Sequence, residues 1–317
     1  MYRVGIDLGG TNIATGVVDE NCQIIGRAVL KTNPQKGVEA ILDSLEQSVY
    51  LAVKDAGLTM ADIEEVGIGS PGQIDTEEGI IVSACNLGAK NMVVTPILGQ
   101  RLGKKVYIRN DADAGLIGEY IAGAGKNAKI LVLITLGTGI GSSVLINGKP
   151  FNGFNHVGVE LGHMCIDMCG KECACGSQGC WEVYASASAL VKQTKDMMCR
   201  CPESAMWKLC NNDLELANGS TAFTAMEMGD TAGTSVVLEY CGYLATGILN
   251  VIKIFQPDVL CIGGGVSNQG DALLEPLRNM VYGNATVQNL EKKTDIKIAE
   301  LKNDAGIIGA AFLGMFQ

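Results

Sequence analysis

Five of the twelve cysteines (Cys165, Cys169, Cys173, Cys175 and Cys180) crowd into sixteen residues, and both histidines, His156 and His163, lie just upstream. Thiolates and a neutral imidazole are the donors a tetrahedral zinc site prefers, and a site closed by four protein ligands is structural rather than catalytic. His163, Cys173, Cys175 and Cys180 form the expected ligand set, with Cys165 and Cys169 outside it. The spacing also permits four thiolates. Gly176 and Gly179 sit where a chain must fold sharply around an ion. The other seven cysteines (Cys22, Cys85, Cys199, Cys201, Cys210, Cys241 and Cys261) are scattered and read as reduced, buried thiols.

A second chemistry lies in three Gly-rich turns, 7–12, 136–141 and 263–267, each following an apolar run. Backbone N–H groups in such turns hold phosphate where no side chain blocks the approach. None of the Gly-Lys pairs (Gly103-Lys104, Gly125-Lys126, Gly148-Lys149, Gly170-Lys171) is followed by Ser or Thr, which excludes a P-loop. The stretch from Gly263 breaks the dinucleotide fingerprint at its sixth position, Asn268. Carboxylates supply a third chemistry. Asp111 stands between a predicted strand and a predicted helix, where it serves either as an N-cap or as a rigidly aimed general base. Glu160 and Glu182 flank the cysteine stretch, either as solvated charges or as acceptors for the hydroxyls of a ligand.

The elements that position these residues follow from periodicity. Strands are predicted over 3–7, 13–19 and 24–31, then a helix over 38–56 with Ile41, Leu45, Val49 and Val53 in helical period. A strand over 65–69 and another at 107–108 lead to Asp111 and a helix over 112–122. The pattern then restarts with strands over 130–135 and 140–146 around the second turn. The segments 4–11 and 131–138 share one layout of apolar strand, polar end residue, Gly/Thr turn and return strand. A long helix over 231–255, a buried strand over 258–262 and a Gly/Ala-rich helix over 305–316 complete the chain. These are two related α/β halves facing one another across a cleft, with ligands at the carboxyl ends of strands.

At 317 residues the chain is about two domains long. The expected division is 1–117 and 118–317, the final helix packing back on the N-terminal domain. Apolar residues at 47% and charged residues at 18% describe an ordered globular protein. Lys plus Arg is 24 against Asp plus Glu at 34, a net charge of −10. That acidity, with no basic run, excludes nucleic acid and anionic membrane as partners. The uncharged run 130–148 is broken by its Gly turn and reads as strand, turn, strand rather than a membrane span. No secretory leader precedes the first strand, so a cytoplasmic location is expected.

With these motifs in hand, the chain resembles the ROK family of sugar kinases and repressors over essentially its whole length, most closely the glucokinase-type members. The residues that carry the likeness are Asp7-Leu8-Gly9-Gly10-Thr11-Asn12, Asn110-Asp111-Ala112, the stretches 135–141 and 263–267, and above all 160–164 followed by 173–182. The resemblance implies the actin-like, sugar-kinase/Hsp70-type two-domain α/β fold, with ATP and a hexose as substrates, catalytic Mg²⁺, structural Zn²⁺ and a homodimer. It implies that Gly5, Ile6, Asp7, Leu8, Gly9, Gly10, Thr11 and Asn12 hold the nucleotide phosphates, with Asp7 near the magnesium. Gly137, Thr138 and Gly139 would form the second phosphate turn, and Gly264 and Gly265 would lie by the adenosine. Asp111 would be the general base, with Asn110, Asn86, Glu160, His163 and Glu182 on the sugar, His163 also being a zinc ligand. The family's repressors carry an N-terminal helix-turn-helix, so the expectation is an ATP-dependent glucokinase rather than a repressor. Ala89, His156 and Val159 depart from the family's usual pattern, which has an aromatic after Asn-Leu-x and Gly before the first sugar glutamate. They motivate an alternative hexose or N-acetylhexosamine (N-acetylmannosamine, N-acetylglucosamine, allose or fructose). A sugar-binding zinc protein without turnover is the reading from another class.

Overall fold

The computed structural model describes residues 1–154 and 158–316; His156 lies outside the described residues. Its strands, in chain order, are β1 (Tyr2–Leu8), β2 (Asn12–Val18), β3 (Ile24–Lys31), β4 (Ile63–Ser70), β5 (Gln73–Asp75), β6 (Ile80–Ala84), β7 (Ala89–Val93), β8 (Lys105–Asn110), β9 (Ile130–Leu136), β10 (Ile140–Ile146), β11 (Lys149–Pro150), β12 (Val259–Gly263) and β13 (Asp295–Ile298). The α-helices are α1 (Val38–Asp55), α2 (Thr95–Leu102), α3 (Asp111–Ala122), α4 (Glu182–Ala185), α5 (Ala187–Arg200), α6 (Ala205–Leu209), α7 (Thr221–Glu227), α8 (Thr231–Phe255), α9 (Asp271–Tyr282) and α10 (Ala305–Ala311).

The repeat read in the sequence is realised as two five-stranded sheets of matching order, β3-β2-β1-β4-β8 and β11-β10-β9-β12-β13. In the first, β1 pairs antiparallel with β2 and parallel with β4, which pairs parallel with β8. In the second, β10 pairs antiparallel with β11 and β12 parallel with β13. A three-stranded sheet, β5-β6-β7, lies outside the repeat. Its strands are short and alternate poorly, so periodicity did not expose them.

Two compact units form: Met1–Leu133 with Ser143–Val159 and Glu300–Gln317, and Ile134–Ser142 with Glu160–Ala299. Residue 117, the expected boundary, lies inside α3, all of which belongs to the first unit. Within that unit α1 buries Ile41, Leu42, Leu45, Val49, Ala52 and Val53 on one stripe, the 3.6-residue pattern of an amphipathic helix. The closing helix is shorter than the predicted 305–316: α10 ends at Ala311 and a 3₁₀ turn, Leu313–Phe316, follows. The Phe316 carbonyl, at the end of that turn, accepts from Arg109 Nη2 at 2.7 Å. Helix α10 lies so close to the first sheet that a Cβ on Gly5 or on Gly67 would run into the Ile307 and Ala310 carbonyls. Glycine is therefore a packing requirement at both positions.

In the second unit, α8 is the one helix among the described residues long and apolar enough to cross a membrane. Of its apolar window 56% is buried by the protein's own packing. The cysteine expectation needs correction: Cys210, Cys241 and Cys261 are buried, but Cys85 and Cys199 are exposed. Cys85 opens a surface 3₁₀ turn, and Cys199 sits on the polar side of α5's last turn.

Candidate active site

Parallel register aligns the chemistry of the first unit at one sheet end. Asp7 on β1 is paired with Gly69 on β4, and Gly69 with Arg109 on β8. Asn110 therefore ends β8 beside Ser70, and Asp111 opens α3. Asn110, not Asp111, is the N-cap: its Oδ1 accepts from Ala112 N at 2.9 Å, while its Nδ2 donates to the Gly72 carbonyl at 3.1 Å. Asp111 Oδ1 also accepts from Ala112 N at 2.9 Å, so the two side chains share that N–H. The Asp111 carboxylate keeps a solvent-reachable face while protein crowds the others. Burial pushes its pKa up and the nearby Asp113 adds to the rise, against backbone N–H groups that pull it down. Asp7 is pushed up to about 6, mainly by burial and then by the charge of Asp111.

The first turn is closed by Gly9 N donating to the Asn12 carbonyl at 2.9 Å, and Thr32 Oγ1 donates to the Gly9 carbonyl at 2.6 Å. Thr11 and Asn12 stay exposed, and Lys31 Nζ holds Asn12 Oδ1 at 2.9 Å. A Cβ on Gly10 would lie 3.1 Å from Asn86 Cβ, so the predicted sugar residue sits against this turn. Gly5 and Ile6 are buried inside β1 and set the turn's position.

Beneath Asp111 is a network that sequence reasoning missed. The buried carboxylate of Asp113 accepts from Ser143 Oγ and from Asn152 Nδ2, the latter at 2.7 Å. Arg109, its guanidinium pKa lowered by burial and supported by Asp113, keeps a buried Nε without a hydrogen-bond partner among the described residues. Farther along α3, the fully buried Glu119 accepts from the backbone N–H groups of Ala124, Glu300 and Leu301 at 2.8, 3.1 and 2.8 Å. The available signal was two acidic residues inside the otherwise apolar run 112–122.

In the second unit, Gly137 and Thr138 are exposed, and the turn is closed by Gly137 N on the Gly139 carbonyl at 3.0 Å. Gly264, at φ 84°, lies so near Leu136 that a Cβ would strike its backbone; the second and third Gly turns are therefore neighbours. His163, Cys173, Cys175 and Cys180 bring their ligand atoms within 4.8 Å of one another. Cys173 Sγ is 3.7 Å from His163 Nδ1, and Cys175 Sγ is 3.6 Å from Cys180 Sγ. Two ligands about 2.3 Å from a tetrahedral zinc ion stand roughly 3.8 Å apart, so this donor set fits zinc. The sulfur separation is far beyond the roughly 2.05 Å of a disulfide. Hydrogen bonds from Ser177 lower Cys175 to about 7, whereas Cys180 is pushed up by burial and by its neighbouring thiols. Cys165 and Cys169 stay outside the cluster and are exposed. Glu182 begins α4 beside it, and Glu160 stands exposed at the start of the 3₁₀ turn Leu161–His163.

Comparison with known proteins decides the lineage. The sequence model of the ROK family matches residues 3–315. The chain belongs to the ROK family. It is 35% identical to the glucokinase of Thermotoga maritima, covering 97% of this chain and 95% of that protein. It is 33% identical to the glucokinase of Streptomyces coelicolor, covering 98% and 96%. Among solved structures, the ROK family glucokinase of Streptomyces griseus, in complex with glucose and AMPPNP, superposes with a TM-score of 0.80 at 33% identity, covering 99% of each chain. This ROK protein therefore has the actin-like, two-domain α/β fold of the family's sugar kinases.

Proposed function

We propose that this ROK family member is an ATP-dependent sugar kinase that phosphorylates the 6-hydroxyl of glucose. The observation that carries the reading is Asp111: a carboxylate fixed at a strand end at the start of α3, with its proton affinity raised by burial. Phosphoryl transfer asks a protein for positioning, charge neutralisation and a group to take the hydroxyl proton. Asp111 accepts that proton as the sugar oxygen bonds to the γ-phosphorus and ADP leaves. Asn110, Asn86, Glu160, His163 and Glu182 bind the sugar hydroxyls. The turns Gly9 to Asn12 and Gly137 to Gly139 would hold the phosphates, and Gly264 and Gly265 would lie by the adenosine.

Asp7 would hold Mg²⁺, whose bound charge offsets that of the phosphates; a desolvated carboxylate beside a second one suits a hard cation. His163, Cys173, Cys175 and Cys180 would hold Zn²⁺, which supplies the closure of the 163–180 loop. The glucose complex of the Streptomyces griseus relative supports the choice of sugar. A second reading keeps the chemistry and changes the sugar, because Ala89 is buried at the start of β7 and places only a methyl group where the family has an aromatic. The test is a coupled ADP-release assay with ATP, Mg²⁺ and a panel of hexoses and N-acetylhexosamines. Glucose should lead. Another sugar leading moves the assignment to the second reading, and binding without ADP release overturns the kinase.

A further inference from the structure

Glu182 touches two features at once. Its Oε2 accepts from Ile140 N at 3.0 Å, directly after the 137–139 turn, and its Oε1 lies 3.8 Å from Sγ of Cys173, a member of the four-ligand cluster. A Cβ on Gly139 would collide with the Glu182 carboxylate, so glycine there admits this contact. The segment carrying Glu182 is itself anchored. Trp181 is wholly buried, its Nε1 donates to the Tyr243 carbonyl at 3.0 Å, and Gly247 leaves room for its ring. A few residues on, Ala187 N donates to the Gly137 carbonyl at 2.9 Å. The turn is therefore gripped at both ends by the stretch that follows the ligand Cys180.

We propose that Glu182, besides its place on the sugar, has a positioning role that couples the His163–Cys173–Cys175–Cys180 cluster to the 137–139 turn, so that metal in the cluster and nucleotide on the turn tighten one another. This rests on the reading of the cluster as a zinc site and the turn as a phosphate site. A closed cluster fixes Cys173, whose Sγ lies beside the Glu182 carboxylate, and Cys180, two residues before Glu182, and thereby fixes the carboxylate that holds Ile140 N. An open cluster lets the 173–180 loop relax, and the turn loses that acceptor. Coupling between sites is reciprocal, so it is readable from the metal side.

The experiment measures zinc affinity of the full chain by chelator competition, with and without saturating AMPPNP and Mg²⁺, in the absence of sugar. Nucleotide binding is followed by calorimetry on the same samples. AMPPNP should tighten zinc about tenfold in the parent protein, within the usual range of allosteric coupling. In Glu182→Ala the factor should fall to about one although all four ligands remain. Gly139→Ala, which keeps every ligand and Glu182 but pushes the carboxylate away, should do the same and guards against misfolding of the first variant. AMPPNP binding with unchanged zinc affinity in the parent, or full coupling in both variants, overturns the proposal and leaves the kinase reading standing. No AMPPNP binding to zinc-loaded parent protein overturns both.

Discussion

Replacing Asp7 by Asn should stabilise the ligand-free protein while removing its activity. Asp7 lies largely desolvated at the end of β1, beside Asp111, and its pKa rises from the ordinary 3.8 to about 6. A rise of that size corresponds to about 3 kcal/mol of lost preference for the ionised form. The sign follows from proton linkage. Below about pH 4 the group is protonated in both folded and unfolded chains and contributes no difference. Between about 4 and 6 the folded chain binds more protons than the unfolded one, so stability falls as pH rises; above about 6 the full penalty is present. Asn has no charge to desolvate. The stability difference between Asp7→Asn and parent should therefore grow from near zero at pH 4 to as much as about 3 kcal/mol at pH 8. Urea unfolding followed by far-ultraviolet circular dichroism at several pH values measures it. Mg²⁺ with AMPPNP should recover stability in the parent and much less in the variant. A variant equal to or weaker than the parent at pH 8, with no pH dependence in the difference, would refute the reasoning.

Four further outcomes follow from the same geometry. Asp111→Asn should lower kcat by about 10²- to 10⁴-fold, the usual worth of a general base, with glucose affinity retained by calorimetry. In the parent, kcat should fall as pH drops through a pKa lying above the ordinary carboxylate range, because the base must be ionised. Glu119→Ala leaves the buried N–H of Ala124 and the part-buried N–H groups of Glu300 and Leu301 without their acceptor; a buried orphan costs roughly 1–3 kcal/mol, so a loss of at least about 1 kcal/mol in urea unfolding is expected. Val159, a β-branched residue, sits at φ 66° directly before Glu160. The left-handed conformation costs such a residue roughly 1–2 kcal/mol, so Val159→Gly should raise the unfolding midpoint, and a lowered midpoint speaks against strain there.

Much of the fold was legible because its signals are local. Strands β1, β9 and β10 carry apolar runs ended by Gly turns, and α8 announces itself by an unbroken apolar stripe. The grouping of His163, Cys173, Cys175 and Cys180 was legible too, since thiol and imidazole spacing over 163–180 survives without knowing the fold. What stayed hidden depends on residues far apart in sequence. Asp113 meets Ser143 and Asn152 thirty and thirty-nine positions away, and Glu119 meets Glu300 and Leu301 across more than 180. No periodicity links such partners. That Asn110 and Asp111 share the Ala112 N–H is likewise a property of the folded chain. Val159 was visible as a departure from the family's usual glycine, but its left-handed backbone is a property of the folded chain.

The central claim, a sugar kinase with Asp111 as base, is tested most directly by nuclear magnetic resonance of the product formed from glucose, ATP and Mg²⁺. A phosphorus signal coupled to the C6 protons should grow with the parent enzyme, and should be nearly absent with Asp111→Ala over the same period. A product phosphorylated elsewhere, no phosphoester at all, or equal product from the Asp111→Ala enzyme would contradict the account.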